Sequence, residues 1–320
     1  MSKRVNEGEA LAFLVTQDNY IIFTHNSPDG DTVGSAIGLV IALRHLGKRA
    51  WAYNREGVPE RLSFLCPEAY FITSLPEDLA SHTLISVDVA SPKMLSMPEA
   101  GFTFALSIDH HQVNTIGCER LYLCDTYIAA GEIVYELVEK MGVPMTAELA
   151  LPLYAAISSD SGGFRYQATR PETMYAAGKL MATGIDFARI NRLLFENKTP
   201  TQIAMEALAY GKLELFFGGR MALVSVTAEE MEAIGASDGD TEVLNQIPRQ
   251  VSGVQVSAVI KPKGDWIKCS LRSNEDIDVA ELAKTWNGGG HYHAAGFSMT
   301  GTTVEKVKAL LLEQVEGLLL

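Results

Sequence analysis

Tyr20-Ile21-Ile22-Phe23-Thr24-His25-Asn26-Ser27-Pro28-Asp29-Gly30-Asp31 changes character halfway along its length. The first five residues form a short apolar run of β type, and Ser27 to Asp31 form a turn cluster built on Pro-Asp-Gly. Thr32 to Leu46 then reads as an apolar, helix-compatible segment, closed by Gly47 as a C-terminal stop. A strand, a polar turn and a helix in this order put the turn beyond the strand's carboxyl end. That is the edge at which open α/β sheets bind ligands.

The pattern repeats outward from this stretch. Strands are predicted at Ala50 to Tyr53, Thr83 to Val89 and Phe102 to Ile108. Helical periodicity follows from Ile128 to Lys140, Thr146 to Ile157 and Pro171 to Met181. Short apolar strands alternating with helices predict an α/β fold with a mostly parallel sheet and flanking helices. Asp186 to Leu215 reads as a helical connector interrupted at Lys198-Thr199-Pro200. Beyond Gly218-Gly219 the pattern changes to a strand (Arg220 to Val226), a short helix (Thr241 to Gln246) and two neighbouring strands, Gly253 to Ile260 and Trp266 to Arg272. The turn between those two is expected at Lys261-Pro262-Lys263-Gly264-Asp265, and an amphipathic helix from Val304 to Leu318 closes the chain. The expected organisation is a first domain over 1–190, a helical linker over 191–215 and a smaller α/β domain over 216–320.

Composition narrows the function. The 320 residues carry 39 Asp+Glu against 26 Lys+Arg, a formal charge of −13, which disfavours a long nucleic-acid duplex as partner. Short anionic substrates held by a local cationic site remain open. With 47% hydrophobic and 20% charged residues the chain is a globular one, without internal repeats or low-complexity segments. Cys66, Cys118, Cys124 and Cys269 are scattered, with no C-x-x-C pair, so neither a zinc ribbon nor a disulfide framework is expected. Met1 to Glu9 has no apolar core of signal-peptide type, and no apolar run approaches the roughly 18–20 residues that span a bilayer. A cytoplasmic location is the expectation. The apolar tail Leu318 to Leu320 is expected to pack on its own domain or on a second subunit as a homodimer contact.

Four acidic or acid-plus-imidazole stops fall in the first domain: His25 with Asp29 and Asp31, then Asp88, then Asp109-His110-His111, then Asp160. Asp31 alone would suit a helix cap, and any single Asp could pair with backbone amides. Converging on one rim, however, buried carboxylates are costly unless something cationic satisfies them. Hard divalent ions take carboxylates, and imidazole shifts preference toward Mn²⁺ over Ca²⁺. Two such ions roughly 3.5–4 Å apart would lower the pKa of a bridging water and clamp a phosphoryl oxygen. Asp29 and Asp31, two apart on a turn, can each face a different ion.

The order H-x-x-x-D-x-D at His25/Asp29/Asp31, then Asp88, the literal Asp109-His110-His111 and Asp160 resembles the DHH phosphoesterase superfamily. The resemblance covers the first domain in correct motif order and implies a dinuclear Mn²⁺ site, with Mg²⁺ or Co²⁺ as substitutes. It implies that His25, Asp29 and Asp88 hold one ion and that Asp31, Asp88, His110 and Asp160 hold the other, Asp88 bridging. By the same resemblance His111 faces the scissile phosphate, Asp109 orients its neighbours, and Asn114 lies near the phosphate.

Trp286-Asn287-Gly288-Gly289-Gly290-His291 is the second strong signal. Consecutive glycines let backbone N–H groups approach a phosphate, and a helix N-terminus after them would add its dipole. The stretch resembles the G-G-G-H motif of the DHH-associated (DHHA1) domain, which implies phosphate or nucleotide binding by Gly288, Gly289, Gly290 and His291. The families it resembles carry Phe-Gly before the triplet, where this chain has Trp286-Asn287. Arg272 matches the arginine position of the same domain, and its guanidinium suits a bidentate grip on phosphate.

Both domains within about 320 residues resemble the nanoRNase/pAp phosphatase branch. That implies hydrolysis of very short RNA oligonucleotides to mononucleotides and of 3′-phosphoadenosine-5′-phosphate (pAp) to AMP, across an interdomain cleft. Two alternatives stand beside it: a phosphodiesterase for pApA or cyclic di-AMP, and a nucleotide-binding regulatory protein without turnover.

Overall fold

The structure is a computed structural model that describes residues 2–97, 100–274 and 276–319. Met1 and Leu320, which end two of the segments read above, lie outside the described residues. Two compact units divide between Asn197 and Lys198.

The first unit runs β1 (Lys3–Arg4), α1 (Glu7–Thr16), β2 (Tyr20–Phe23), α2 (Gly30–His45), β3 (Ala50–Tyr53), β4 (Phe71–Ile72), β5 (Thr83–Val87), β6 (Leu106–Asp109), β7 (Arg120–Leu123), α3 (Ala130–Lys140), α4 (Ala147–Asp160), α5 (Pro171–Met181) and α6 (Phe187–Phe195). Among the described residues its strands form one sheet in the order β1-β7-β6-β5-β2-β3-β4, every pairing parallel. Alternation across β2 explains why the run is apolar throughout. Tyr20 and Ile22 enter a core shared with α2, α3 and α4, while Ile21 and Phe23 enter a second core on the opposite face. There the Phe23 ring lies 4.8 Å from Tyr53, 4.9 Å from Phe102 and 5.1 Å from Phe104.

α2 lies directly on α4 because three glycines at four-residue spacing remove the side chains between them. A Cβ at Gly34 would fall 2.3 Å from the Pro152 carbonyl oxygen, one at Gly38 2.4 Å from Leu153 Cδ2, and one at Gly30 2.6 Å from Ser159 Cβ. The last turn of α4 is thereby drawn against the first turn of α2.

The second unit holds α7 (Pro200–Gly211), β8 (Glu214–Phe216), β9 (Met221–Ser225), α8 (Ala228–Ile234), β10 (Val256–Lys263), β11 (Trp266–Ser273), α9 (Val279–Lys284), β12 (Gly289–His291), β13 (Ala294–Thr300) and α10 (Val304–Leu319). Its sheet order is β12-β13-β11-β10-β9-β8, with β9–β10 parallel and the other pairings antiparallel. Met221, Leu223, Ile260, Leu271 and Phe297 pack under α9 and α10, whereas Val224 and Val259 on the other face pack under α7. Leu319 is buried in this core and Leu318 is exposed.

Several expectations are corrected. The helical reading from Asp186 to Leu215 covers two helices in different units, α6 and α7, and its end at Glu214–Phe216 is a strand. Thr241 to Gln246 lies in a 3-10 helix, Gly239–Gln246. Lys261 to Lys263 belong to β10, because Lys263 pairs with Trp266 and leaves only Gly264-Asp265 as the turn, Gly264 taking φ +57°. The last two glycines of the triplet lie in the first strand of a β-hairpin, β12–β13, and no helix follows directly; α9 precedes it, so no helix dipole points at these glycines from the C-terminal side.

Trp286 stacks on Phe297, ring centroids 4.4 Å apart, and packs against the core of the second unit. Asn287 is exposed and takes φ +56°, a left-handed conformation that Asn tolerates and Gly adopts freely. Asn287→Val is expected to lower stability by about 1–2 kcal/mol in denaturant unfolding, with Asn287→Gly close to wild type. Equal stabilities for all three would refute a backbone requirement at this position.

Candidate metal centre and phosphate-binding elements

Every candidate ligand sits at the carboxyl edge of the first sheet. His25 follows β2, Asp29 caps α2 by accepting the amides of Asp31 and Thr32 through Oδ1, and Asp31 lies in the first turn of α2. Asp88 follows β5 and takes φ +59°, Asp109 ends β6, and Asp160 ends α4.

The side chains converge as two sets that share Asp88. His25 Nε2 lies 3.5 Å from Asp29 Oδ1 and 3.5 Å from Asp88 Oδ2. His110 Nε2 lies 3.6 Å from Asp31 Oδ2, 3.4 Å from Asp88 Oδ1 and 3.6 Å from Asp160 Oδ2. Ligand atoms of His25, Asp29 and Asp88 fall within 4.8 Å of one another, as do those of Asp31, His110 and Asp160. A third such group joins Asp88, His110 and His111.

The shell behind these residues fixes their orientation. His110 Nδ1 faces the Tyr127 carbonyl at 3.2 Å, and His25 Nδ1 faces the Asn26 carbonyl at 2.7 Å, which leaves each Nε2 directed into the cluster. Asp31 accepts the Ser35 hydroxyl and the Gly131 amide on Oδ1 and the Ala130 amide on Oδ2. Asp109 lies 2.8 Å from His111 Nδ1 and accepts the His110 amide. Asn114 Nδ2 donates to Asp109 Oδ2 and to the Val89 carbonyl, so both of its amide N–H groups are engaged in holding Asp109 and the loop after β5. Asn54 escaped the sequence reading. It is fully buried after β3 and donates to Thr24 Oγ1 and the His25 carbonyl, and a polar residue ending an apolar strand was the signal that could have found it.

The electrostatics fit divalent cations. Burial, then the neighbouring Asp88 charge, pushes Asp31 up to about 7, and burial with Asp31 and Asp29 pushes Asp160 well above the carboxylate range. Burial opposes ionisation of Asp88 too, but hydrogen bonds from His110 and His25 outweigh it and hold Asp88 well below that range. Burial likewise disfavours charged imidazoles, yet the carboxylates around His25 and His110 raise both well above the ordinary value. Without a cation, burial and the crowded carboxylates drive Asp31 and Asp160 toward their neutral forms, and a divalent cation among them would favour the charged forms. Asp88 directs one oxygen at each set, Oδ1 lying 3.4 Å from His110 Nε2 and Oδ2 3.5 Å from His25 Nε2, and Oδ1 is buried without a close hydrogen bond, so it is open to a cation.

In the second unit, Arg272 is half-buried on β11, with Nη1 donating to the Leu271 carbonyl. The three glycines do different work. A Cβ at Gly288 would lie 2.3 Å from the Gly296 carbonyl, and Gly290 combines φ +145° with a Cβ position 2.4 Å from the Ala294 carbonyl. Both are needed for the β12–β13 backbones to approach, whereas Gly289 faces open space. His291 ends β12 opposite Ala294.

A parallel sheet with paired Asp/His donor sets at its carboxyl edge, followed by a second α/β unit, points to the class of metal-dependent phosphoester hydrolases. Residues 19–157 match the DHH family N-terminal domain, and residues 222–319 match the DHHA1 domain. The chain is 32% identical over 297 residues to the bifunctional oligoribonuclease and PAP phosphatase NrnA of Thermus thermophilus, covering 92% of this chain and 88% of that protein. It is 23% identical to the cyclic-di-AMP phosphodiesterase PdeA of Listeria monocytogenes over 97% of this chain and 49% of that protein. The crystal structure of an exopolyphosphatase-related protein from Bacteroides fragilis has the same fold, with a TM-score of 0.87 at 24% identity, covering 98% of this chain and 97% of that one. The chain belongs to the DHH phosphoesterase family. Among the described residues, no helix is long and apolar enough to cross a membrane.

Proposed function

We propose that this chain hydrolyses very short RNA oligonucleotides to mononucleotides and pAp to AMP, using two divalent cations of which Mn²⁺ is the preferred pair. The observation that carries the reading is the sharing of Asp88 by two donor sets, in a chain 32% identical over 297 residues to a bifunctional oligoribonuclease and PAP phosphatase. His25, Asp29 and Asp88 would hold one ion, and Asp31, Asp88, His110 and Asp160 the other. Bound there, the ions supply Lewis-acid charge and a water of lowered pKa.

The chain's own groups do the rest. Asp109, held by Asn114, keeps His111 Nδ1 engaged and so sets the ring beside the scissile phosphate as a hydrogen-bonding or cationic group. Burial disfavours its charged form, but Asp109 and Asp88 raise His111 above its ordinary value, which favours a donor to a phosphate oxygen. Arg272, Gly289 and His291 are proposed to bind the distal phosphate or base, while Gly288 and Gly290 shape the hairpin that carries them. An acidic chain suits short substrates over a long duplex, and four unpaired cysteines suit a reducing cytoplasm.

The likeness to a cyclic-di-AMP phosphodiesterase, although this chain spans about half of that protein, favours linear and cyclic dinucleotides as the second reading. Two- to ten-nucleotide RNAs, pAp, pApA and cyclic di-AMP, each supplied at one concentration with Mn²⁺, separate the readings. Dinucleotides and pAp are expected to turn over fastest. Faster turnover of cyclic di-AMP would transfer the assignment to the second reading. Tight dinucleotide binding without product in excess Mn²⁺ would make the chain a regulatory binder.

A further inference from the structure

We infer that Arg165 binds a substrate phosphate, the one next to the phosphate that is cleaved; this rests on the phosphoesterase reading. Directly after Asp160 the chain folds into a tight knot, and Gly162, Gly163 and Phe164 take φ of +59°, +70° and +65°. Glycine adopts this region freely, but a bulky side chain such as Phe164 does so only where its surroundings over-determine it. They do so here. Ser161 Oγ donates to the Ser158 carbonyl and accepts the Phe164 amide, while the Ser161 carbonyl accepts the amides of Arg165 and Tyr166.

The consequence of the knot is the placement of Arg165. Its Nε donates back to the Gly162 carbonyl, and its guanidinium lies over the Phe195 ring, 5.9 Å from the centroid. Both supports adjoin the metal centre. Gly162 is two residues beyond Asp160. Phe195 follows Leu194, whose Cδ2 lies 3.6 Å from the Cβ position of Gly30, between Asp29 and Asp31. Among the described residues no carboxylate pairs with Arg165, although the chain carries 39 acidic residues. Asp31, Asp88 and His110 are buried while Arg165 is exposed, so it meets the part of a bound substrate that projects outward from the scissile group. A planar guanidinium held through Nε, whose Nη atoms make no hydrogen bond among the described residues, suits two phosphate oxygens.

Arg165→Gln and Arg165→Lys test this with ApA, which has one phosphate, against ApApA and pAp, which have two. Arg165→Gln is expected to raise KM about ten-fold for ApApA and pAp and to leave ApA within about two-fold, with kcat and the Mn²⁺ titration unchanged. Arg165→Lys is expected to recover part of the loss. Equal losses on ApA, or no loss on any substrate, overturn the assignment. If wild type cleaves none of them, the hydrolase reading falls instead. Calorimetric binding of pAp in Mn²⁺ then reads Arg165 by itself: about ten-fold weaker binding by Arg165→Gln supports the assignment, and equal binding refutes it.

Discussion

Asp88→Asn is expected to lower turnover of pAp and of a dinucleotide at least about 10³-fold, and to reduce bound Mn²⁺ from two ions to one or none. Asp88 faces both donor sets: Oδ2 faces His25 and Oδ1 faces His110. An amide nitrogen cannot ligate a cation, so the substitution leaves at most one bridging-capable oxygen. The fold should survive. Asn accepts the left-handed φ of +59° as readily as Asp does, and the substitution removes a negative charge that helps push Asp31 and Asp160 up. Metal analysis, turnover and thermal unfolding in chelator check the three parts. A variant that keeps two ions and turns over within ten-fold of wild type would refute a bridging role.

Gly34→Ala should lower stability by about 1–3 kcal/mol and weaken binding of one Mn²⁺ more than the other. The added methyl would meet the backbone carbonyl of Pro152, which cannot rotate aside, so α2 and α4 must separate. Asp160 rides on the end of α4 and Asp31 on the start of α2, so their separation strains the set completed by His110. His25, Asp29 and Asp88 do not depend on α4 and should keep their ion. A denaturant midpoint and a Mn²⁺ titration decide the matter. Unchanged stability with two equal sites would show that this contact does not set the spacing.

Much of the first unit was legible because its signals are local. The unbroken apolar run of β2, the stop at Ser27 to Asp31 and the periodicity of α5 depend on neighbouring residues, and the elements appear where those patterns place them. The short strands β1 and β4, two residues each, carry no periodicity to read. In the second unit, the Gly-rich stretch was readable as a place of close backbone approach but not as a hairpin. The carbonyls of Ala294 and Gly296 that require Gly290 and Gly288 belong to a strand that follows.

The site divides in the same way. Residue order alone carried the identity of the metal-type side chains, since an Asp or His that ends an apolar run stands at a strand's carboxyl edge wherever that strand lies in the sheet. The division into two sets that share Asp88 was expected from the family resemblance, whereas the donor distances within each set, the turning of Asn114 toward Asp109 and the pinning of Arg165 over Phe195 were decided by the tertiary structure. Those relations depend on distances between segments tens of residues apart. Such distances follow from strand order and from the glycine-lined approach of α2 to α4, neither of which a one-dimensional pattern contains.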